Sequence, residues 1–69
     1  MRLLEDAYEY NNGVGLQTVR IFSERPYGYK RFIVEFSDGN TLIYSGMWYK
    51  LDQIKREVEK EIDRRTEKI

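Results

Sequence analysis

The 69-residue sequence lacks both cysteine and histidine. Without cysteine the chain cannot form a disulfide, and without either residue it lacks the ligands that most zinc sites use. A metal site made of carboxylates alone would need acidic residues clustered in one loop, and the sequence offers no such cluster. We therefore expect no metal, no cofactor and no small-molecule ligand.

Histidine and cysteine are also the residues that most often move a proton or attack a substrate in enzymes. The remaining nucleophile candidates, Ser23, Ser37 and Ser45, are not placed beside a base by any known motif. Glu24 and Glu35 fall on expected exposed strand positions, where nothing would raise a carboxyl pKa for acid or base catalysis. We therefore expect a protein without enzymatic activity.

The chain also lacks an excess of charge of one sign and any long apolar run. Twelve basic residues balance twelve acidic ones, so no overall field draws the protein to nucleic acid or to an anionic membrane. The apolar runs are far shorter than the roughly 20 residues that span a bilayer, and residues 1–10 lack the basic-then-apolar order of a signal peptide. Together with the missing cysteines, these absences predict a soluble, cytoplasmic protein with no membrane partner.

Among the features that are present, residues 29–44 predict a β-hairpin, because apolar and polar residues alternate on both sides of a turn at residues 37–39. A three-residue loop with Gly39 in the left-handed conformation pairs Val34 with Leu42. A two-residue loop would divide the apolar residues between the two faces of the sheet. With the three-residue loop, the large apolar residues share one face: Phe32, Val34, Phe36, Leu42 and Tyr44.

A further strand is predicted over Leu16–Glu24, joined to the hairpin by a turn at residues 25–28. Proline suits the second position of such a turn and glycine the fourth. Pairing across this turn sets Val19 against Val34 and again gives an apolar inner face. The three strands are therefore predicted to form an antiparallel meander in the order 1-2-3.

Residues 2–10 place Leu3, Leu4, Ala7 and Tyr8 at helical spacing, which indicates a short amphipathic helix at the N-terminus. The two turns available are too few for a helix that is stable in isolation. We therefore expect this helix to pack against the rest of the chain.

From Trp48 onward the sequence predicts a long C-terminal helix that packs on the inner face of the sheet. Its apolar stripe has spacings of three and four residues and consists of Leu51, Ile54, Val58 and Ile62. The expected fold is thus a single α+β domain over residues 1–69, in the order α-β-β-β-α. A chain this short is near the lower limit for one hydrophobic core, so a homodimer is a reasonable expectation.

The outer face of the predicted sheet carries apolar residues framed by charges, and we interpret it as the candidate protein-interaction surface. Three explanations are open: the N-terminal helix covers the surface, a protein partner or second copy covers it, or the apolar residues are exposed individually. The edge strands are further candidates, because neither contains an internal proline that would block pairing. The interaction candidates are Arg20, Phe22, Arg31, Ile33, Glu35 and Ile43.

Basic and aromatic residues alternate around the first turn and form the candidate nucleic-acid surface. Such side chains can bind phosphates and stack on bases, although the same pattern is typical of an ordinary turn whose tyrosines close the end of a core. The residues concerned are Arg20, Arg25, Tyr27, Tyr29, Lys30 and Arg31.

The predicted order of a helix, three antiparallel strands and a second helix resembles the double-stranded-RNA-binding domain. That resemblance implies RNA contacts at the start of the last helix, where MWYKLDQIKR provides Lys50, Lys55 and Arg56. A three-stranded meander followed by a helix is also similar to the arm-binding domain of phage integrases. That similarity implies DNA contacts from the sheet face, at Arg20 and Arg31.

Taken together, the sequence favours a small non-enzymatic module that binds a protein partner or itself, through the outer sheet face or an edge strand. Its size and neutral charge are typical of inhibitors and adaptors, including those of viruses and mobile elements. The alternative is a nucleic-acid-binding module.

Overall fold

The structure is a computed structural model that describes residues 2–67, with side chains through residue 65. It is an α+β fold, in which a four-stranded antiparallel sheet has the order β1-β2-β3-β4. One helix packs on one face of this sheet, which we call the inner face. The elements are β1 (Leu3–Asn11), β2 (Leu16–Glu24), a short 3-10 segment (Pro26–Gly28), β3 (Arg31–Phe36), β4 (Thr41–Ser45) and α1 (Leu51–Glu67).

The predicted N-terminal helix is wrong, because residues 3–11 form the edge strand β1. The helical spacing of Leu3 and Leu4 with later apolar residues misled the prediction. The stronger period is two: Tyr8 and Tyr10 both pack against the core, while Ala7 and Glu9 are exposed. The order is therefore β-β-β-β-α, and it lacks the first helix that carried the resemblance to the double-stranded-RNA-binding domain.

The Asn-Gly-rich loop after β1 is the turn of a hairpin. Gly13 has a φ of +86°, which a glycine adopts without strain. The Asn12 side-chain oxygen accepts hydrogen bonds from the amides of Val14 (3.0 Å) and Gly15 (2.9 Å). These bonds return the chain antiparallel to β1, so that Asn11 pairs with Leu16. A helix of two turns is only marginally stable, so a strand that is hydrogen-bonded to β2 is the more stable structure for these residues.

The hairpin of β3 and β4 has the predicted register, with Val34 opposite Leu42. The Phe36 amide donates to the Asn40 carbonyl (2.9 Å), and Gly39 has a φ of +92°. The three-residue loop with a left-handed glycine is therefore confirmed.

The predicted register between β2 and β3 is wrong by two residues, because Val19 pairs with Phe36 and Glu24 pairs with Arg31. The connection is longer than a four-residue turn, and the Tyr29 amide donates to the Pro26 carbonyl (3.2 Å). A slip of two residues keeps each side chain on its face, so the apolar inner face is preserved.

Helix α1 begins at Leu51 rather than at Trp48, because a turn separates it from β4. In this turn Gly46 donates its amide to the Lys30 carbonyl at 2.8 Å. A Cβ atom on Gly46 would lie 2.6 Å from that oxygen, so only glycine allows the approach. The predicted apolar stripe is confirmed: Ile54, Val58 and Ile62 are buried against the inner face.

Polar contacts fasten the helix to β1, at the far side of the sheet from β4. Lys55 forms an ion pair with Asp6, and its ammonium lies 5.4 Å from the centre of the Tyr8 ring. Near the other end of the helix, the Tyr10 hydroxyl donates to the Asp63 carboxylate at 3.1 Å. The helix, which is the last element of the chain, therefore contacts the first strand.

Candidate protein-interaction surface

The six residues predicted to form the interaction surface all lie on the outer face, which α1 does not cover. The register places Phe22, Ile33 and Ile43 side by side on β2, β3 and β4. Arg20 lies opposite Glu35, with their charged atoms 3.5 Å apart. The structure therefore brings these residues together on one face, although the register between β2 and β3 differs from the predicted one.

Ile33 lies at the centre of this cluster and is only 1% exposed, so it cannot contact a partner directly. No helix covers it. Its neighbours on the adjacent strands and the long charged side chains around it remove it from water. Phe22 is half-buried, with the guanidinium of Arg2 at 6.0 Å from its ring centre.

The charged side chains above Phe22 and Ile33 alternate in sign along one chain of contacts. Arg31 Nε donates to Glu24 Oε1 at 2.7 Å, and Arg2 Nε lies 3.8 Å from the other oxygen of Glu24. Arg2 Nη1 also donates to Glu35 Oε2 at 3.2 Å. We call this set the outer charged network; its members are Arg2, Arg20, Glu24, Arg31 and Glu35.

Within the outer charged network, the ionised form of Glu24 is stabilised by its neighbours. The hydrogen bond from Arg31 is the main influence that holds the pKa of Glu24 below its ordinary value of 4.5, and the charge of Arg2 acts in the same direction. Arg2 was missed in the sequence, because residues 2–10 were assigned to a helix. Of the three explanations left open for the outer face, cover by an N-terminal helix is wrong, because residues 3–11 form β1; Arg2, ahead of that strand, lies over Phe22.

Beyond the outer charged network, apolar surface is exposed where β4 ends. Ile43 is 62% exposed, Met47 is 68% exposed and Trp48 is 77% exposed. Ile43 and Met47 share a groove, which we call the β4-end groove. Its lining residues are Tyr29, Lys30, Arg31, Ile43, Tyr44, Ser45 and Met47.

The sequence predicts Trp48 as the start of the helix, and neither Trp48 nor the preceding Met47 is among the predicted surface residues. The sequence does contain a signal against that assignment. Gly46 follows directly on a strand, and a glycine in this position is typical of a turn before the helix begins.

Strand β4 is an open edge of the sheet, and its backbone groups alternate in direction. Hydrogen bonds from the Phe36 amide to Asn40 and from the Gly46 amide to Lys30 mark the two ends of its ladder with β3. Hydrogen-bonded pairs in an antiparallel ladder fall on every second residue. The even-numbered residues of β4 therefore bond to β3, and three residues direct N–H and C=O away from the sheet: Thr41, Ile43 and Ser45.

One of these outward groups is already used inside the chain. The Ser45 carbonyl accepts hydrogen bonds from the amides of Trp48 (3.2 Å) and Tyr49 (3.1 Å). The amide and carbonyl of Ile43 have no hydrogen-bond partner among residues 2–67. The middle of β4 therefore presents unpaired backbone beside an exposed apolar side chain.

The opposite edge, β1, differs in both backbone and charge. Its register with β2 shifts between Leu4 and Asp6, so Glu5 forms a β-bulge. Its sequence LLEDAYEYN carries Glu5, Asp6 and Glu9 and no basic residue, whereas TLIYS of β4 carries no charge and its pairing with β3 has no shift. Bulges and charges are the usual protection of an edge strand against pairing, so β1 is protected and β4 is not.

Five of the six candidate nucleic-acid residues lie in or next to the loop after β2, whereas Arg20 lies beside the turn at residues 37–40. Three of the six are engaged within the chain, and one of these is Lys30, whose ammonium lies 5.0 Å from the centre of the Phe32 ring. Arg20 pairs with Glu35 and Arg31 pairs with Glu24 on the outer face. Tyr27 is 97% exposed at the tip of the loop, with a φ of +58° that is uncommon for any residue except glycine. The two other candidates that flank it, Arg25 and Tyr29, are also exposed.

Within the described residues, no three acidic side chains come together as ligands for a metal ion. No helix in the same part of the chain combines the length and the apolar character needed to cross a membrane. Comparison of the chain with family models, curated proteins and solved structures finds no match.

Proposed function

We propose that this chain is a non-enzymatic protein-interaction module that binds an extended strand at the open edge of β4. The observation that carries the proposal is the combination of unpaired backbone at Ile43 with an uncharged, apolar edge. Strand addition draws affinity from main-chain hydrogen bonds and specificity from side chains beside the edge. Both elements are present here, because the β4-end groove lies next to the outward-facing backbone.

The outer face supports the same choice of site. Phe22 and Ile33 are covered by the outer charged network, so a partner would have to displace paired charges to reach them. Ile43 is exposed already, and no ion pair covers it in the described part of the chain. The edge therefore costs less to desolvate than the centre of the face.

Selection from a displayed library of random peptides of about ten residues, long enough to span a strand, tests this proposal. We expect the enriched peptides to lose about tenfold or more in affinity for Ile43→Lys, because the change places a charge at the binding edge. Ala7→Lys is the matched control, since it places the same charge at an exposed position on the other edge strand. Peptides bound at β4 should keep their affinity for that variant.

Amide hydrogen exchange gives a second measurement that depends on the backbone. A bound strand should slow exchange at Ile43 and Ser45, whose amides face outward, and leave Leu42 and Tyr44 nearly unchanged, because those amides already bond to β3. Failure to enrich any peptide, or equal binding by wild type and Ile43→Lys, would contradict the proposal.

A nucleic-acid-binding module is the second candidate, and the exposure of Tyr27 at the loop tip is the observation that favours it. A single-stranded oligonucleotide should then bind wild type with affinity that falls steeply as salt rises, and Tyr27→Ala should weaken it by removing a stacking surface. Tyr27→Phe is the control, because it keeps the ring. We rank this candidate second because Arg20 and Arg31 are paired with carboxylates that would repel phosphates.

A further inference from the structure

Accepting the proposed function of β4, we infer that the strand it binds is β4 of a second copy of this chain. The two copies would pair antiparallel about a two-fold axis at Ile43. The result is a continuous eight-stranded sheet with both helices on the same face. The inference rests on three properties of the edge: its backbone pattern, its charge pattern and its contrast with β1.

The backbone of β4 is complementary to itself in this register. A two-fold axis at Ile43 pairs that residue with its counterpart and pairs Thr41 with Ser45 of the other copy. All of these residues direct their backbone groups outward, so they meet as hydrogen-bonded pairs. Ile43 makes two reciprocal bonds, and each Ser45 amide donates to a Thr41 carbonyl. The Thr41 amide lies opposite the Ser45 carbonyl, which already accepts bonds from Trp48 and Tyr49, so the ladder has four hydrogen bonds and not six.

The side chains of the outer face are also compatible with the symmetric register. Ile43 would pack against its counterpart across the axis, which removes the exposed apolar residue of each copy from water at once. Glu35 lies beside Thr41 and Arg31 lies beside Ser45. The pairing of Thr41 with Ser45 therefore brings Glu35 of one copy and Arg31 of the other into the same row, separated only by two small side chains. These opposite charges lie three strand spacings apart in the row, about 14 Å between backbones, and the arrangement occurs twice in the dimer.

The other edge cannot form the equivalent pair. Every charged residue of β1 is acidic, so two copies of β1 would oppose Glu5, Asp6 and Glu9 with one another. The bulge at Glu5 also breaks the ladder that a flat pairing needs. Self-association through β4 therefore closes at two copies and leaves protected edges outside.

The experiment uses the absence of cysteine in the chain, since an introduced cysteine is then the only thiol. Directly opposed residues bring their Cβ atoms close enough for a disulfide. Under mild oxidation Ile43→Cys should give covalent dimers, and Thr41→Cys and Ser45→Cys should cross-link when mixed but not separately. Thr18→Cys, exposed on the same face but on β2, is the control for random collision.

Sedimentation equilibrium of wild type from about 1 μM to about 1 mM should show reversible dimers, which Ile43→Lys weakens by about tenfold or more because the change occurs twice at the axis. Ala7→Lys should dimerise as wild type does. A wild type that stays monomeric, or that forms larger assemblies, overturns the inference, as does equal cross-linking of Thr18→Cys and Ile43→Cys. If the chain is monomeric while selected peptides still bind β4, the self-pairing is wrong and the proposed function stands; if neither occurs, both are wrong.

Discussion

The two faces of the sheet bury their central residues by different means. On the inner face, Val34 has no exposed surface because Ile54 and Val58 of a helix pack against the sheet. On the outer face, Ile33 is 1% exposed although only side chains lie above it. Equal burial is thus reached once by a packed helix and once by surrounding side chains on the same face of the sheet.

The difference shows that exposure alone does not measure how firmly a residue is held. An inner-face residue is enclosed by closely packed apolar side chains of the helix and the sheet. These side chains move little when a neighbouring atom is removed. Ile33 instead lies between Phe22 and Ile43 on the adjacent strands, beside charged side chains that are partly exposed and able to rearrange. Variants on each face distinguish burial by a packed helix from burial by surrounding side chains.

The largest effect is expected from truncation inside the helix–sheet layer. Ile54→Ala should lower the free energy of unfolding by about 3 to 4 kcal/mol, and Ile33→Ala by only about 2 kcal/mol, because the outer side chains can move into the space. Urea unfolding of the two variants at equal protein concentration measures both. Equal losses would mean that the outer cover is as rigid as the helix.

The next largest effect is expected in the dependence of stability on pH. Because the pKa of Glu24 is lowered in the fold, its contribution is present above its ordinary value of 4.5 and is lost as pH falls through the folded pKa. Wild type should therefore be more stable than Glu24→Gln at neutral pH, and the gap should close on acidification. Thermal unfolding of both proteins across pH 3 to 7 gives the comparison. A gap independent of pH would contradict the role of the charge.

A smaller effect is expected from Arg2→Ala, which removes the central cation of the outer charged network. We expect a loss of about 0.5 to 1 kcal/mol, since the contacts of Arg2 are partly exposed, and a weaker dependence of stability on salt. Arg2→Met is the control that keeps an apolar stem over Phe22. A variant with an alanine as stable as wild type at low salt would show that Arg2 does not hold the cover in place.

The smallest effect at neutral pH is expected from Tyr8→Phe, on the inner face. The Tyr8 hydroxyl is buried without a hydrogen-bond partner among the described residues, so its removal should leave stability unchanged or raise it by up to about 1 kcal/mol. Burial raises the pKa of Tyr8 to about 12. The Tyr8 hydroxyl therefore loses its proton at a lower pH in the unfolded chain than in the folded one. The free energy of unfolding of wild type should then fall between pH 10 and 12. Tyr8→Phe should weaken less in that range, as followed by circular dichroism.

Several parts of the fold could be predicted from local chemistry in the sequence. The β3–β4 register follows from Gly39 and from the requirement that Val34 and Leu42 share a face. The helix stripe follows in the same way from spacing. The β2–β3 register was missed because the left-handed conformation of Tyr27 lengthens the connection, and tyrosine gives no sign of it.

The N-terminal strand and the network of charges on the outer face were not predicted, because both depend on contacts between residues that are far apart in the sequence. Leu3–Asn11 becomes a strand only because β2 and α1 offer partners to its tyrosines. The outer charged network depends on Arg2, which contacts Glu24 and Glu35 from 22 and 33 positions earlier in the chain. The exposed edge at Ile43 was within reach, since its position follows from the correctly predicted hairpin.

The contacts of α1 with β1 have a consequence for how the protein is made. The sheet is a meander, so each strand can pair with the preceding one as the chain emerges during synthesis. Lys55 and Asp63, which fasten the first strand, emerge only after the whole sheet. Tyr8 and Tyr10 thus remain uncovered on a nascent chain until most of α1 has appeared. We expect the nascent domain to resist proteases only once residue 63 is free of the ribosome.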